Sequence, residues 1–131
     1  MSQKNIELAQ TVLAAWGDGS LADLDLLDPA AVWINPPEAV EGGVRIGAEE
    51  YISAGEDVRS AFEGARIEID RWVETGDRVG AVGTLRGRGR GSGVDIERSI
   101  ALIWTIIEGR VIRFEWFLGS GEVLEAAGLP E

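Results

Sequence analysis

The charged side chains of the last two predicted strands are the residues of this chain best placed to do chemistry. Residues 99–107 and 110–118 read as strands around Glu108-Gly109, a dipeptide suited to a two-residue hairpin turn. Such a turn pairs Ile107 with Arg110, and an unbroken register then fixes every later pair. One face of the hairpin carries Ala101, Ile103, Thr105, Ile107, Ile112, Phe114 and Trp116 and is nearly all apolar. The opposite face carries Arg98, Ile100, Leu102, Trp104, Arg113, Glu115 and Phe117. Two arginines and a carboxylate among large apolar groups is the composition of a ligand pocket. Glu115 is there either an acid or base for catalysis or one half of a structural ion pair, and both readings stand.

Three more groups of residues could join it. Arg86, Arg88 and Arg90 alternate with Gly87, Gly89 and Gly91, so their guanidinium groups leave one face of a strand as an anion-attracting row. A two-residue turn at Ser92-Gly93 would pair Arg90 with Asp95 and Arg88 with Glu97 as cross-strand ion pairs. An odd-length turn would set the arginines beside Ile96 and Arg98, on the pocket face. Trp33 and Asn35 lie two apart and share a strand face, where an amide can orient water or a carbonyl and an indole supplies a wall. Tyr51, the sole tyrosine, falls in the first turn of a predicted helix, a place where a partly buried helix residue is the ordinary outcome.

Composition excludes several classes of chemistry. The chain has 131 residues and neither Cys nor His, which rules out disulfides, thiolate metal sites and histidine-based triads. A net charge of −11 opposes binding to nucleic acid or to anionic membranes. Glu49, Glu50, Glu56, Asp57, Glu68 and Asp70 read as solvated faces without the loop spacing of a calcium site, and the tandem glycines fail the Gly-x-Gly-x-x-Gly spacing. Neither metal nor cofactor is expected. The N-terminus lacks the apolar core of a signal peptide and no segment is long enough for a membrane span, so the expected location is the cytoplasm.

The positioning elements follow from periodicity. Ile6, Ala9, Val12, Leu13 and Trp16 form a helical stripe that Ser2 could cap and that Gly17 to Gly19 end. A short helix is predicted over 21–27, stopped by Asp28-Pro29, then a strand over 31–35 that ends at Pro36-Pro37. Residues 38–46 read as loop. A further helix spans 48–62, with Tyr51, Ile52, Val58 and Phe62 on its inner stripe. Period-two strands follow over 66–74, 79–90, 94–107 and 110–118, and a last helix over 121–127 stops at Gly128. This is one α+β domain over 1–131, two helices leading and a meander closing it.

In this element order, and in the residues 32–37 (Val-Trp-Ile-Asn-Pro-Pro), the run from Gly42 to Gly47 and the ending over 108–118, the chain resembles the NTF2-like superfamily, and within it the SnoaL-like and limonene epoxide hydrolase-like groups. The resemblance implies a curved sheet wrapped into a cone around N-terminal helices, with an internal pocket and dimers formed through the outer face of the sheet. It also places Glu115 at a water-activating acidic position, Arg86 at a family arginine, and Trp33 and Asn35 at positions that help hold the water. Arg88 stands where the hydrolases keep a second carboxylate, so that hydrolase reaction is not expected. Two functions remain. The first is a cofactor-independent isomerase, cyclase or hydrolase-like enzyme acting on a small apolar substrate with Glu115, Arg86 and Asn35. The second is a non-catalytic dimeric binding protein for a small hydrophobic, possibly acidic ligand, clamped by arginines and walled by Trp33, Trp104 and Phe117. In either case Ile103, Ile112, Phe114 and Trp116 are expected to form a homodimer interface.

Overall fold

A computed structural model describes residues 2–37 and 43–129, with side chains from residue 4 onward. Helix α1 (Ser2–Asp18) leads through a 3-10 turn (Leu21–Asp23) into β1 (Leu27–Asn35) and β2 (Gly43–Ile46). Helix α2 (Ala48–Ser60) follows, then β3 (Phe62–Thr75), β4 (Arg78–Gly89), β5 (Asp95–Ile107), β6 (Arg110–Leu118) and α3 (Gly121–Ala126). The strands make one curved sheet in the order β2-β1-β6-β5-β4-β3, antiparallel except where β1 runs parallel to β6. Helices α1 and α2 lie across its inner face. Ala9, Val12, Ala15 and Trp16 bury the α1 stripe, and Tyr51, Ala54 and Gly55 bury that of α2. Among the described residues no helix is long and apolar enough to cross a membrane.

Several local expectations change. The helix expected over 21–27 shrinks to one 3-10 turn because Leu27 already belongs to β1. Asp28 accepts the Ala30 N–H at 2.9 Å, and Pro29 falls in the irregular stretch of the β1/β6 ladder between Leu27 and Val32, where a missing donor costs little. Residues 43–46, expected as loop, pair with β1 as an edge strand, and Arg45 ties that strand to α2 through Glu50 at 3.1 Å and Asp57 at 2.9 Å. Residues 38–42 and the Ser2 side chain lie outside the description. Phe62 opens β3 instead of ending α2.

Two irregularities set the curvature and the faces. In β3 the register shifts between Ile69 and Arg71, and there the strand comes so close to β4 that a Cβ on Gly83 would sit 2.1 Å from the Glu68 carbonyl oxygen. Only glycine fits this approach. In β6, Ile107 pairs with Arg110 as the two-residue turn requires, but Ile106 pairs with Val111 and Thr105 with Arg113, so Ile112 is an extra, unpaired residue. A β-bulge of this kind exchanges the faces of all that follows. Trp104 therefore partners Phe114, Leu102 partners Trp116, and Ile103 partners Glu115.

The expected assignment of β6 is corrected accordingly. Phe114 and Trp116 belong to the inner core with Ile100, Leu102 and Trp104, while Arg113, Glu115 and Phe117 stand on the outer face. Ile103 is fully buried, but by Leu124 and Leu129 from α3 and the residues after it, together with Val82 and Ala101. Arg78 fastens this cover by donating to the Ala127 carbonyl at the end of α3. The patch of Ile103, Ile112, Phe114 and Trp116 expected to seat a second subunit is thus not one surface.

This register makes opposite demands on neighbouring residues. Phe114→Ala should cost about 3–5 kcal/mol of stability in urea denaturation, whereas Glu115→Gln should stay within about 1 kcal/mol. The reverse order would mean that Glu115, not Phe114, faces the core.

Candidate functional site

The site is a cavity between the inner sheet face and the two long helices, with a volume of about 40 Å³. Its aromatic wall comes from five elements: Trp16 on α1, Trp33 on β1, Tyr51 on α2, Trp104 on β5, and Phe114 and Trp116 on β6. Aliphatic side chains, Leu85, Ile100 and Leu102 among them, complete it, and among the described residues no charged one lines it. The rings hold one another at edge-on or tilted angles. Trp33 meets Tyr51 at 5.3 Å and 88° and Phe114 at 4.6 Å and 50°, and Trp104 meets Phe114 at 5.3 Å and 43°. These are the separations at which aromatic pairs attract.

The polar atoms of the wall can be accounted for individually. Trp16 Nε1 donates to the Gly55 carbonyl at 2.8 Å. Trp33 Nε1 and Trp116 Nε1 both donate to Asn35 Oδ1, at 2.7 and 2.9 Å. The Trp104 indole lies beside the Tyr51 hydroxyl and favours its ionised form. Burial pushes the Tyr51 phenol far above the ordinary tyrosine range, and Trp104 offsets only part of this. Tyr51 is therefore an un-ionised donor facing hydrocarbon. Such a group can bind or polarise an oxygen acceptor but cannot act as a base near neutral pH.

The residues singled out from the sequence divide between the two faces. Trp33, Tyr51, Ile100, Leu102 and Trp104 line the cavity. Asn35 stands at its edge, where its carbonyl oxygen gathers two indoles. Arg98 shares the inward side with its partner Leu85 but is exposed at the open end of the sheet, beyond the lining. Glu115 is on the outer face, its side chain 17% exposed and paired with Arg113 at 3.2 Å. Phe117 is on that face too, packed toward Val82 and Ala101.

The arginine row also lies outside. Arg86 pairs with Glu97 and Arg88 with Asp95 across the β4/β5 ladder, a register two residues away from that of a Ser92-Gly93 turn but with the same consequence of charge pairing. Arg86 bridges Glu68 at 2.7 Å and Glu97 at 2.9 Å, and it holds the Glu68 carboxyl below the usual range. Anions are not drawn inward by this arrangement. Among the described residues no three Asp, Glu, His or Cys side chains gather where they could hold a metal ion.

Sequence reasoning did not assign Trp16, Phe114 and Trp116 to the site. Trp16 carried a signal as a member of the α1 stripe, whereas the other two were put on the wrong face by a bulge that leaves no mark in polarity.

An α+β cone of this topology, closed by two helices over an aromatic pocket, is an NTF2-like small-molecule pocket fold. Residues 9–114 match the SnoaL-like domain, and the chain belongs to that family. No functionally curated protein matches the sequence. Among solved structures, a putative SnoaL-like polyketide cyclase from a Jannaschia species is similar over 98% of this chain and 92% of its own, with 16% identity and a TM-score of 0.80. An NTF2-like protein of unknown function from Burkholderia pseudomallei is similar over 93% and 95%, with 23% identity and a TM-score of 0.77. TerC, co-crystallised with polyporic acid, is similar over 96% and 97%, with 21% identity and a TM-score of 0.74. Likeness at this identity establishes the shared fold.

The state of Tyr51 predicts a specific alkaline response. In the unfolded chain tyrosine ionises near pH 10, while the folded chain keeps the proton to higher pH. The raised phenol thus has no effect on stability below about pH 10, and above it stability falls by up to about 1.4 kcal/mol per pH unit. Urea midpoints measured between about pH 9 and 11 should show this fall in the wild type and lose that component in Tyr51→Phe. Equal slopes in the two proteins would contradict the burial of the phenol.

Proposed function

We propose that the chain is a small-molecule binding protein whose ligand has a flat, largely apolar body and one oxygen acceptor, held without any charged contact. The observation that carries this reading is an apolar aromatic wall with one buried, un-ionised phenol: the Trp16, Trp33 and Trp116 N–H groups already have protein acceptors, and burial keeps the proton on Tyr51. A carbonyl or ether oxygen buried beside it gains a hydrogen bond that a hydrocarbon cannot make. The family supports a pocket function, and TerC, of the same fold, offers the precedent of polyporic acid. Carboxylate acid–base catalysis by Glu115 draws no support from a side chain whose ladder partner is Ile103. A catalytic reading retains one foothold, since the donor that binds a carbonyl would also stabilise an oxyanion.

Binding can be followed through quenching of the cavity tryptophans by a naphthyl ketone and by the matching hydrocarbon. Tyr51→Phe should weaken the ketone by about 1 kcal/mol, roughly five-fold, and leave the hydrocarbon unchanged. Equal effects on both would remove Tyr51 from recognition. Failure of either compound to bind the wild type would remove the pocket reading itself.

We also propose a homodimer, seated on the outer face of β1 and β2. Val44 and Ile46 are 55% and 70% exposed on the edge strand of the sheet, next to Ile34 and Val32. A second copy would cover an apolar surface that water otherwise faces. Sedimentation should show wild-type dimers at micromolar concentration and monomers of Ile46→Asp; a monomeric wild type would overturn this partner.

A further inference from the structure

The binding reading meets an obstacle of size, and its resolution lies in Trp16. A volume of about 40 Å³ holds a few water molecules, whereas ligand pockets measure about 300–1,000 Å³. Two larger clefts adjoin the cavity, one of about 260 Å³ between α2 and the segment after α1, the other of about 320 Å³ between α1 and β3. The Trp16 side chain borders all three spaces. Leu13 and Ile67, like Trp16, border both the cavity and the α1/β3 cleft.

We propose that Trp16 is the movable wall of the site, and that an elongated flat ligand enters through the α1/β3 cleft when the indole swings away from Gly55. The inference rests on the binding reading above and supplies its portal. Trp16 lies in the last turn of α1, three residues before Gly19, whose φ of +82° breaks the helix. The indole makes one hydrogen bond, to the Gly55 carbonyl. Its seat is fitted to a glycine: a Cβ on Gly55 would lie 2.9 Å from Trp16 Cδ1 and 3.3 Å from Nε1. The cleft beyond it is lined in part by Ala14, Gly17 and Ala65, and a Cβ on Gly17 would meet nothing within 4 Å. Small side chains there leave room for a displaced indole. Gln10 and Arg66 also border this cleft, and 61% of the Arg66 side chain is exposed.

Stopped-flow association of 1-aminoanthracene, a neutral three-ring fluorophore, tests the portal on the full chain. In the wild type the observed rate should level off as probe concentration rises, because opening limits admission. Trp16→Phe, which keeps a ring but loses the N–H, and Gly55→Ala, which unseats the indole, should each raise that limit at least ten-fold. Trp16→Ala should make the rate linear in concentration. A merely structural Trp16 would lower the melting temperature of these variants without changing the rate limit, and that result overturns the portal while the pocket reading stands. If wild type, Trp16→Phe and Gly55→Ala all bind the probe with one linear rate, the portal is likewise wrong. Absence of probe binding in every folded variant would overturn the portal and the pocket reading together.

Discussion

Ile112 has no partner on β5, and the chemistry of the interior depends on that one extra residue. Its effect is to let Val111 and Phe114, three apart, face the same side of a strand whose ordinary period is two. The energetic reason can be weighed. Without the bulge, Arg113 and Glu115 would enter a space walled by Trp16, Trp33 and Trp104, and removing two charges from water costs several kcal/mol per ion before their attraction is counted. In the same arrangement Phe114 and Trp116 would face outward and forgo about 1.5–3 kcal/mol each of burial. One interrupted rung of the ladder costs about 0.5–1.5 kcal/mol by comparison. The bulged register wins on both terms.

What the bulge delivers is a set of rings too large and too rigid to fill the space beneath the helices completely. Five elements contribute to the wall, and the contacts among Trp33, Tyr51, Trp104 and Phe114 tie four of them to one another. Asn35 adds a polar fastening by accepting from Trp33 and Trp116, which fixes the planes of two indoles at the edge of the cavity. The wall is consequently stiff on the sheet side and on α2. Trp16 differs, because its hydrogen bond reaches across to another helix and open clefts lie on both of its flanks. Among the described residues no charged side chain lines the cavity, and on the outer face Arg86 with Glu68 and Glu97 and Arg113 with Glu115 form pairs of modest worth in high dielectric.

The sequence made the architecture legible because its signals there are local and repeated. The α1 stripe, the meander, the turn at Glu108-Gly109 and the stop at Gly128 each follow from spacing or from a residue with a special backbone preference. Trp33, Ile100, Leu102 and Trp104 could be assigned to one lining because β1 and β5 keep their period in that stretch. Glu115, Phe114 and Trp116 could not, since a bulge shifts register without changing composition, and strict alternation carried across it inverts every later residue. The arginine row shows a milder case. Its pairing with acidic partners was one of two readings, and the turn length that decides between them is not written in a run of Gly, Ser and Arg. Val44 to Ile46 looked like loop because a four-residue edge strand offers too short a pattern to register.

The relative facing of β5 and β6 can be observed directly in solution. Cross-strand nuclear Overhauser effects measured on the full chain should connect the Phe114 ring to the Trp104 and Trp33 rings, whose centroids lie 5.3 and 4.6 Å away, and should connect Glu115 to Ile103. Contacts of Phe114 with Ile103, together with Glu115 with Leu102, would show an unbulged hairpin and an acid inside the cone, and would contradict the account.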